Sequence, residues 1–327
     1  MTLVDELRTL FSNRHVRNNP DNPKIKPASI KKYLMSIQLI AKALGVEFVN
    51  LDFLKEPKKV FKVIENLSEA VKASRLLAPM LITEMMPEYN EYHDEYSKMH
   101  KSISRPLATK FKNGIQTDKT KKNMITWREV VDILKSHKKS ADKIYKQLSA
   151  DERKPKPHEA KTIREYVAGM LFAGSIDLPP RRAEYGDVEI IKNAAYKKLK
   201  DKDTSNYLVL GTKPFFHFAN YKSILTEGPI DIPVPVIVMK VLRKWIPIQN
   251  SKYLFANLSG EKPLGFQEFS GLLKRAFSTP TKNIGVNILR HAFITEYIKE
   301  DHDEHKDIAS KMGHDVNTQK GYIANSD

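Results

Sequence analysis

Cationic and polar side chains that interrupt apolar patterns mark the places where this chain could do chemistry. Arg181 and Arg182 follow Pro179-Pro180 at the end of an apolar helical stretch and precede Glu184 and Asp187. Lys222 stands after a strand pattern, in Asn220-Tyr221-Lys222-Ser223. Arg290 lies in Val286-Asn287-Ile288-Leu289-Arg290-His291-Ala292-Phe293, where Ile288, Leu289, Ala292 and Phe293 read as core positions. Gly313-His314 closes the next helical pattern, and Tyr322 comes eight residues after His314. Each has an ordinary explanation on its own: an arginine in an apolar helix can snorkel or pair with a carboxylate, and a late tyrosine usually packs. Together they supply positive charge, and composition indicates what that charge could meet.

Of 327 residues, 55 are basic and 39 acidic, for a formal charge of +16. The excess is spread along the chain: residues 1–122 hold 22 basic and 14 acidic side chains, and residues 123–327 hold 33 and 25. Both halves are therefore candidates to face a polyanion, most economically a nucleic acid, although solubility alone also favours such a charge. Apolar residues make up 41%, enough for ordinary cores. The absence of cysteine excludes disulfide scaffolds, cysteine-ligated zinc fingers, iron–sulfur clusters and thiol catalysis. Neither a P-loop nor a GxGxxG motif occurs. No run reaches the roughly 18 apolar residues of a membrane span, and no signal-peptide core opens the chain. The expectation is a soluble intracellular protein with no membrane partner.

These residues need elements to hold them. Residues 1–19 read as an arm or a loosely packed helix, with Asn18, Asn19 and Pro20 at its end. Residues 20–110 read as a small helical domain. Ser29 is a candidate N-cap for a helix with Ile30, Leu34, Ile37 and Ile40 on one face, and Gly45 stands where a C′ glycine belongs. Further helical patterns cover 53–67 and 68–86. From Lys101 to Lys122 seven basic residues face Asp118 alone, a composition that suggests a linker tracking phosphates, with 111–122 as its core. Lys110, Lys112, Lys119, Lys121 and Lys122 are its candidate DNA-contacting side chains. Thr126 and Glu129 make a capping-box pattern that opens a second domain, 123–327. There a helix over 158–172 precedes strand patterns at 188–191, 206–210, 215–218 and 230–234, and helices return at 236–245, 266–277, 288–299 and 306–312. Helices, a small antiparallel sheet, then helices is an α+β arrangement. Asp301, His302, Asp303, Glu304 and His305 lie between two helices and read as a solvated connector, since five consecutive residues do not converge on one ion.

Arginine, lysine, arginine, histidine and a late tyrosine, in this order on an α+β background, resemble the tyrosine recombinase (phage-integrase-like) family. The segments Leu289-Arg290-His291-Ala292-Phe293-Ile294-Thr295 and Gly313-His314-Asp315-Val316-Asn317-Thr318-Gln319-Lys320-Gly321-Tyr322 look like that family's LRHxFxT and GHxxxxTxxxY boxes. Pro-Pro-Arg-Arg resembles versions carried by integrases of large DNA viruses and crypton-like mobile elements. The likeness covers roughly residues 124–322, and the helix from Ser29 extends it loosely to the family's core-binding domain.

The resemblance implies a helical core-binding domain and a mixed catalytic domain that together grasp double-stranded DNA. It implies strand cleavage through a 3′-phosphotyrosine, with no metal and no cofactor. A phenol of pKa near 10 is a poor nucleophile at neutral pH, so the phosphate has to be made more electrophilic. By resemblance Tyr322 is the nucleophile and Arg290 one of two arginines that neutralise the phosphate, a task suited to their planar forks. The other is Arg181, which keeps an Arg-x-x-Glu spacing to Glu184, or Arg182, as in the Pro-Pro-flanked variants. Lys222 would protonate the departing 5′-oxygen, with Lys213 in the Gly211–Pro214 turn as the competing choice. His314 would bond the phosphate or assist proton transfer. Asn287 stands where the family usually has His or Lys, so it can donate a hydrogen bond but not shuttle a proton. His291, one residue past Arg290 on a helix, points about 100° away and reads as structural. Synapsis would need a homo-tetramer on paired DNA sites, with a monomer in the absence of DNA. The five residues after Tyr322 are too few for the family's usual exchange of a long C-terminal helix. Type IB topoisomerases share this chemistry, and a non-catalytic DNA-binding relative is the reading that Asn287 favours.

Overall fold

Two separate apolar cores organise the chain, one within Met1–Lys110 and one within Phe111–Asp327. The computed structural model describes residues 2–16, 20, 24–297, 308–313, 318 and 322.

The first unit is helical: α1 (Leu3–Asn13), α2 (Pro27–Leu44), α3 (Pro57–Ile64), α4 (Glu69–Met85) and α5 (His93–Lys112). Of the two readings of the N-terminal residues, 3–13 take the helical one, and the helix is packed closely, not loosely. Leu7 and Phe11, one turn apart on α1, are fully buried in the core, and Arg14 pairs with Glu84 of α4 at 2.7 Å. The start of α2 also differs from expectation. Pro27 occupies the first turn and Lys26 is the cap, because proline's fixed φ suits that position and its missing N–H costs nothing there. Gly45, with φ +72°, closes α2. The basic stretch from Lys101 is helical as far as Lys112 and not a tether. Ile103 and Leu107, four residues apart, lie on the first core and carry α5 through Pro106. That apolar stripe outweighs the local signals of proline and charge.

In the second unit α6 (Asp118–Asn123) precedes α7 (Trp127–Ala150), which opens on the expected capping box: Thr126 Oγ1 accepts from Glu129 N, and Glu129 Oε2 accepts from Thr126 N at 2.8 Å. α8 (Pro157–Ala173) packs along α7. At its start the fork of Arg153 donates twice to Glu159, at 2.7 Å each. Four strands follow, β1 (Val188–Lys192), β2 (Asn206–Leu210), β3 (Phe215–Phe218) and β4 (Ile230–Pro233), with short α9 (Asn193–Tyr196) and α10 (Ile224–Glu227) between them. The sheet runs β1-β2-β3-β4 and is mixed, not antiparallel throughout. β1 pairs parallel with β2, Val188 opposite Asn206, whereas β2–β3 and β3–β4 are antiparallel, with Phe216 opposite Leu208 and Ile232. Residues 193–205, which include α9, give the chain the length a parallel return requires. Helices α11 (Val236–Gln249) and α12 (Gly265–Phe277) pack on α8, and α13 (Val286–Tyr297) completes the described core. The fold is α+β. Among the described residues no helix is long and apolar enough to cross a membrane. Residues 301–305 lie outside the described residues.

Candidate active site

The proline pair separates the two arginines. Pro179 and Pro180 favour extended backbone, in which successive side chains point to opposite sides. Arg181 turns into the core and is fully buried. Its guanidinium lies 4.1 Å from the Phe218 ring centroid and 5.0 Å from that of Tyr221. Its Nη1 donates to the Lys311 carbonyl at 2.6 Å, Nε stands 4.0 Å from Glu184 Oε2, and Nε and Nη2 make no hydrogen bond. Arg182 is half-buried and turns the other way, into an open cleft of about 610 Å³.

Four elements bring side chains to this cleft. Lys222 enters from the loop after β3, which Asn206 on β2 holds in place: its Oδ1 accepts from Ala219 N and Asn220 N at 3.0 and 2.9 Å, and its Nδ2 donates to the Asn220 carbonyl. Lys119, Thr120 and Asn123 come from α6, which is tied to the approach to α13 by a 2.6 Å bond from Asn283 N to Asn123 Oδ1. Phe266, Ser270 and Lys274, at four-residue spacing, present one stripe of α12. Asn287 lines the cleft from the first turn of α13. Among the described residues the lining holds four cations, Lys119, Arg182, Lys222 and Lys274, and no carboxylate. Four cations on one lining suit an anion of more than one charge.

Arg290, one turn after Asn287, points into the core. Its Nη1 donates to the carbonyls of Pro180 at 3.0 Å and Met312 at 3.2 Å. Burial lowers its guanidinium to about 10, with the nearby charge of Arg182 adding to the shift and Tyr322 opposing it, so it stays cationic at neutral pH. Arg182 Nη1 donates to the Gly313 carbonyl at 3.0 Å. Three arginines thus hold three successive carbonyls: Arg181 that of Lys311, Arg290 that of Met312 and Arg182 that of Gly313. These carbonyls end the helical turn over 308–311, where unpaired C=O groups carry partial negative charge. Gly313 permits the turn: its φ is +68°, and a Cβ there would lie 2.9 Å from Arg181 Nη2.

Tyr322 belongs to the same cluster. It is buried, and the Arg290 guanidinium lies over its ring, 5.2 Å from the centroid. The ring meets Phe111 edge-on at 6.1 Å and His291 at 4.7 Å. His291 Nδ1 lies 2.8 Å from the Tyr322 carbonyl, and because a carbonyl only accepts, Nδ1 carries the proton. Burial pushes the His291 imidazole below its usual range, so the ring is neutral at pH 7.

The expected site residues therefore fall into two groups. Arg182, Lys222, Asn287 and Lys119 line the cleft. Arg181, Arg290 and Tyr322 are buried beside it in the arginine–carbonyl cluster. Lys213 is exposed outside the lining, as are Lys110, Lys112, Lys121 and Lys122. His314 lies outside the described residues. Sequence reading missed Lys274 and the anchoring role of Asn206. Lys274 follows Ser270 by one turn on an amphipathic helix, a pattern that looks the same on any solvated face. Comparison with protein-family models gives no match for this chain, and comparison with curated proteins gives none either, so the functional reading rests on this geometry and on the motif order.

Proposed function

We propose that this protein is a site-specific DNA recombinase or integrase that cuts and rejoins DNA strands through a 3′-phosphotyrosine at Tyr322. The observation that carries the reading is the adjacency of a cleft lined by four cations to a buried guanidinium that lies over the tyrosine's ring. A phosphodiester seated on Arg182, Lys222 and Asn287 would have its charge neutralised, and each preplaced donor of this kind contributes on the order of 3 kcal/mol to such a transition state. In the first step Tyr322 Oη bonds to phosphorus and the P–O5′ bond breaks. The phenolic proton leaves to water, and the 5′-oxygen takes a proton from Lys222. Religation reverses the step and needs no nucleotide, since the phosphotyrosine retains the bond energy. Contacts to phosphates dominate such a grip, so binding would weaken steeply with salt. Strand exchange between two sites would require a homo-tetramer on paired duplexes.

Burial of Tyr322 outside the cleft lining favours a second reading, a DNA-binding relative that does not cut. One experiment separates the two. Nicked suicide duplexes, which trap covalent intermediates, are incubated with the protein and resolved on a denaturing gel. A covalent adduct that Tyr322→Phe abolishes supports the enzyme. Salt-sensitive DNA binding with no adduct on any substrate supports the binder. Relaxation of supercoiled plasmid without exchange between sites would instead indicate type IB topoisomerase activity.

A further inference from the structure

A second cavity, of about 440 Å³, lies on another face of α12, between that helix, α8 and the loop over 256–263. We propose that it is a binding site for a phosphate group, separate from the cleft and held by Arg164 and Arg275. Arg164, on α8, lies 5.8 Å from the Trp245 ring centroid. The indole covers one side of the guanidinium. Its Nε is buried and has no hydrogen-bond partner. Arg275, on α12, reaches the same cavity, and its fork lies alongside the backbone of Gly271, with Nη1 3.6 Å from where a Cβ there would stand. Among the described residues neither guanidinium has an ion-pair partner. Their charges act on each other, and burial together with Arg275 lowers the pKa of Arg164.

One carboxylate lines the cavity, that of Glu268. Its Oε2 would lie 3.8 Å from a Cβ at Gly265, in the first turn of α12, where the helix end favours negative charge. Asn257 adds an amide to the rim, and Leu258 is fully exposed beside it. Two forks with free donors, an amide and an apolar neighbour suit a phosphate that carries a sugar. A carboxylate would use one fork and leave the second cation unpaired. The phosphate could come from the backbone of bound DNA or from a free nucleotide or pyrophosphate.

Trp245 gives a local reporter, since the chain has only two tryptophans. In protein labelled with 5-fluorotryptophan, titration with pyrophosphate at constant ionic strength should shift the Trp245 fluorine resonance saturably. The shift should survive Lys222→Ala, which empties part of the cleft, and disappear in Arg275→Gln, an exposed position whose replacement leaves the core intact. A second arm measures duplex binding against salt. If a DNA phosphate occupies the site, Arg275→Gln lowers the slope of log K on log salt by about 0.9. A resonance shift with an unchanged slope assigns the site to free phosphates. No shift and no change of slope overturns the proposal. If the wild-type protein binds no duplex at all, the recombinase reading fails while the pyrophosphate titration still decides this one.

Discussion

Replacing Gly313 by alanine tests the arginine–carbonyl cluster directly. Two costs can be worked from the structure. The backbone at 313 has φ +68°, and a left-handed conformation costs a residue with a Cβ about 1–2 kcal/mol. The new methyl would also stand 2.9 Å from Arg181 Nη2 and 3.3 Å from two carbons of the Tyr221 ring. Arg181 is fully buried against Phe218 and Tyr221 and has nowhere to retreat, so its bond to the Lys311 carbonyl must give. Losing a hydrogen bond from a charged donor costs about 1.5–3 kcal/mol. The two costs together come to about 2.5–5 kcal/mol. Gly45→Ala is the control, because φ is +72° there and nothing lies within 4 Å of the added methyl, so only the backbone cost of about 1–2 kcal/mol applies. Urea unfolding of both variants gives the comparison. If the 308–313 segment detaches before the rest unfolds, the cost appears as faster exchange of the Met312 amide, which donates to the Ile308 carbonyl. Gly313→Ala no less stable than Gly45→Ala, with Met312 exchange unchanged, would refute the reasoning.

Other substitutions probe the site and its supports. Arg182→Lys keeps a cation in the cleft but loses the fork and the bond to the Gly313 carbonyl, so the yield of covalent DNA adduct should fall about 10²–10³-fold without a change in fold; wild-type yield would contradict the role given to Arg182. Glu159, held down to about 2 from 4.5 chiefly by Arg153 and then by the Lys156 N–H, stabilises the fold above pH 4.5, and that contribution disappears as pH falls towards 2. Glu159→Gln should therefore flatten acid unfolding in this window, and an unchanged curve counts against the pair. His291 is held neutral by burial, so below its ordinary value of 6.5 the unfolded chain takes up the proton more readily and stability drops. His291→Asn, which keeps a donor and does not titrate, should lose less stability than wild type between pH 7 and 5; parallel curves would show that burial does not hold His291 neutral in the folded state.

Local rules of helices and strands account for much that was readable without coordinates. The Thr126–Glu129 capping box, the helix from Pro157, and the ranges of β2 and β3 depend on neighbours within four residues, and such signals stay close in sequence. The gathering of Arg182, Lys222 and Asn287 could be expected only through the order of motifs, because the residues come from segments about 40–65 positions apart. Tertiary structure decided the rest. β1 pairs parallel to β2 because the intervening chain crosses back before pairing, which no strand pattern encodes. Ile103 and Leu107 kept α5 helical through a basic, proline-bearing stretch because an apolar core was there to receive them. Arg181 and Arg182 are adjacent and chemically identical, so only the side of the extended backbone on which the core lies could bury one and open the other to the cleft. Lys274 joined the site for the same reason: α12 presents that stripe to the cleft, and a helix's own periodicity shows which residues share a face but not what that face meets.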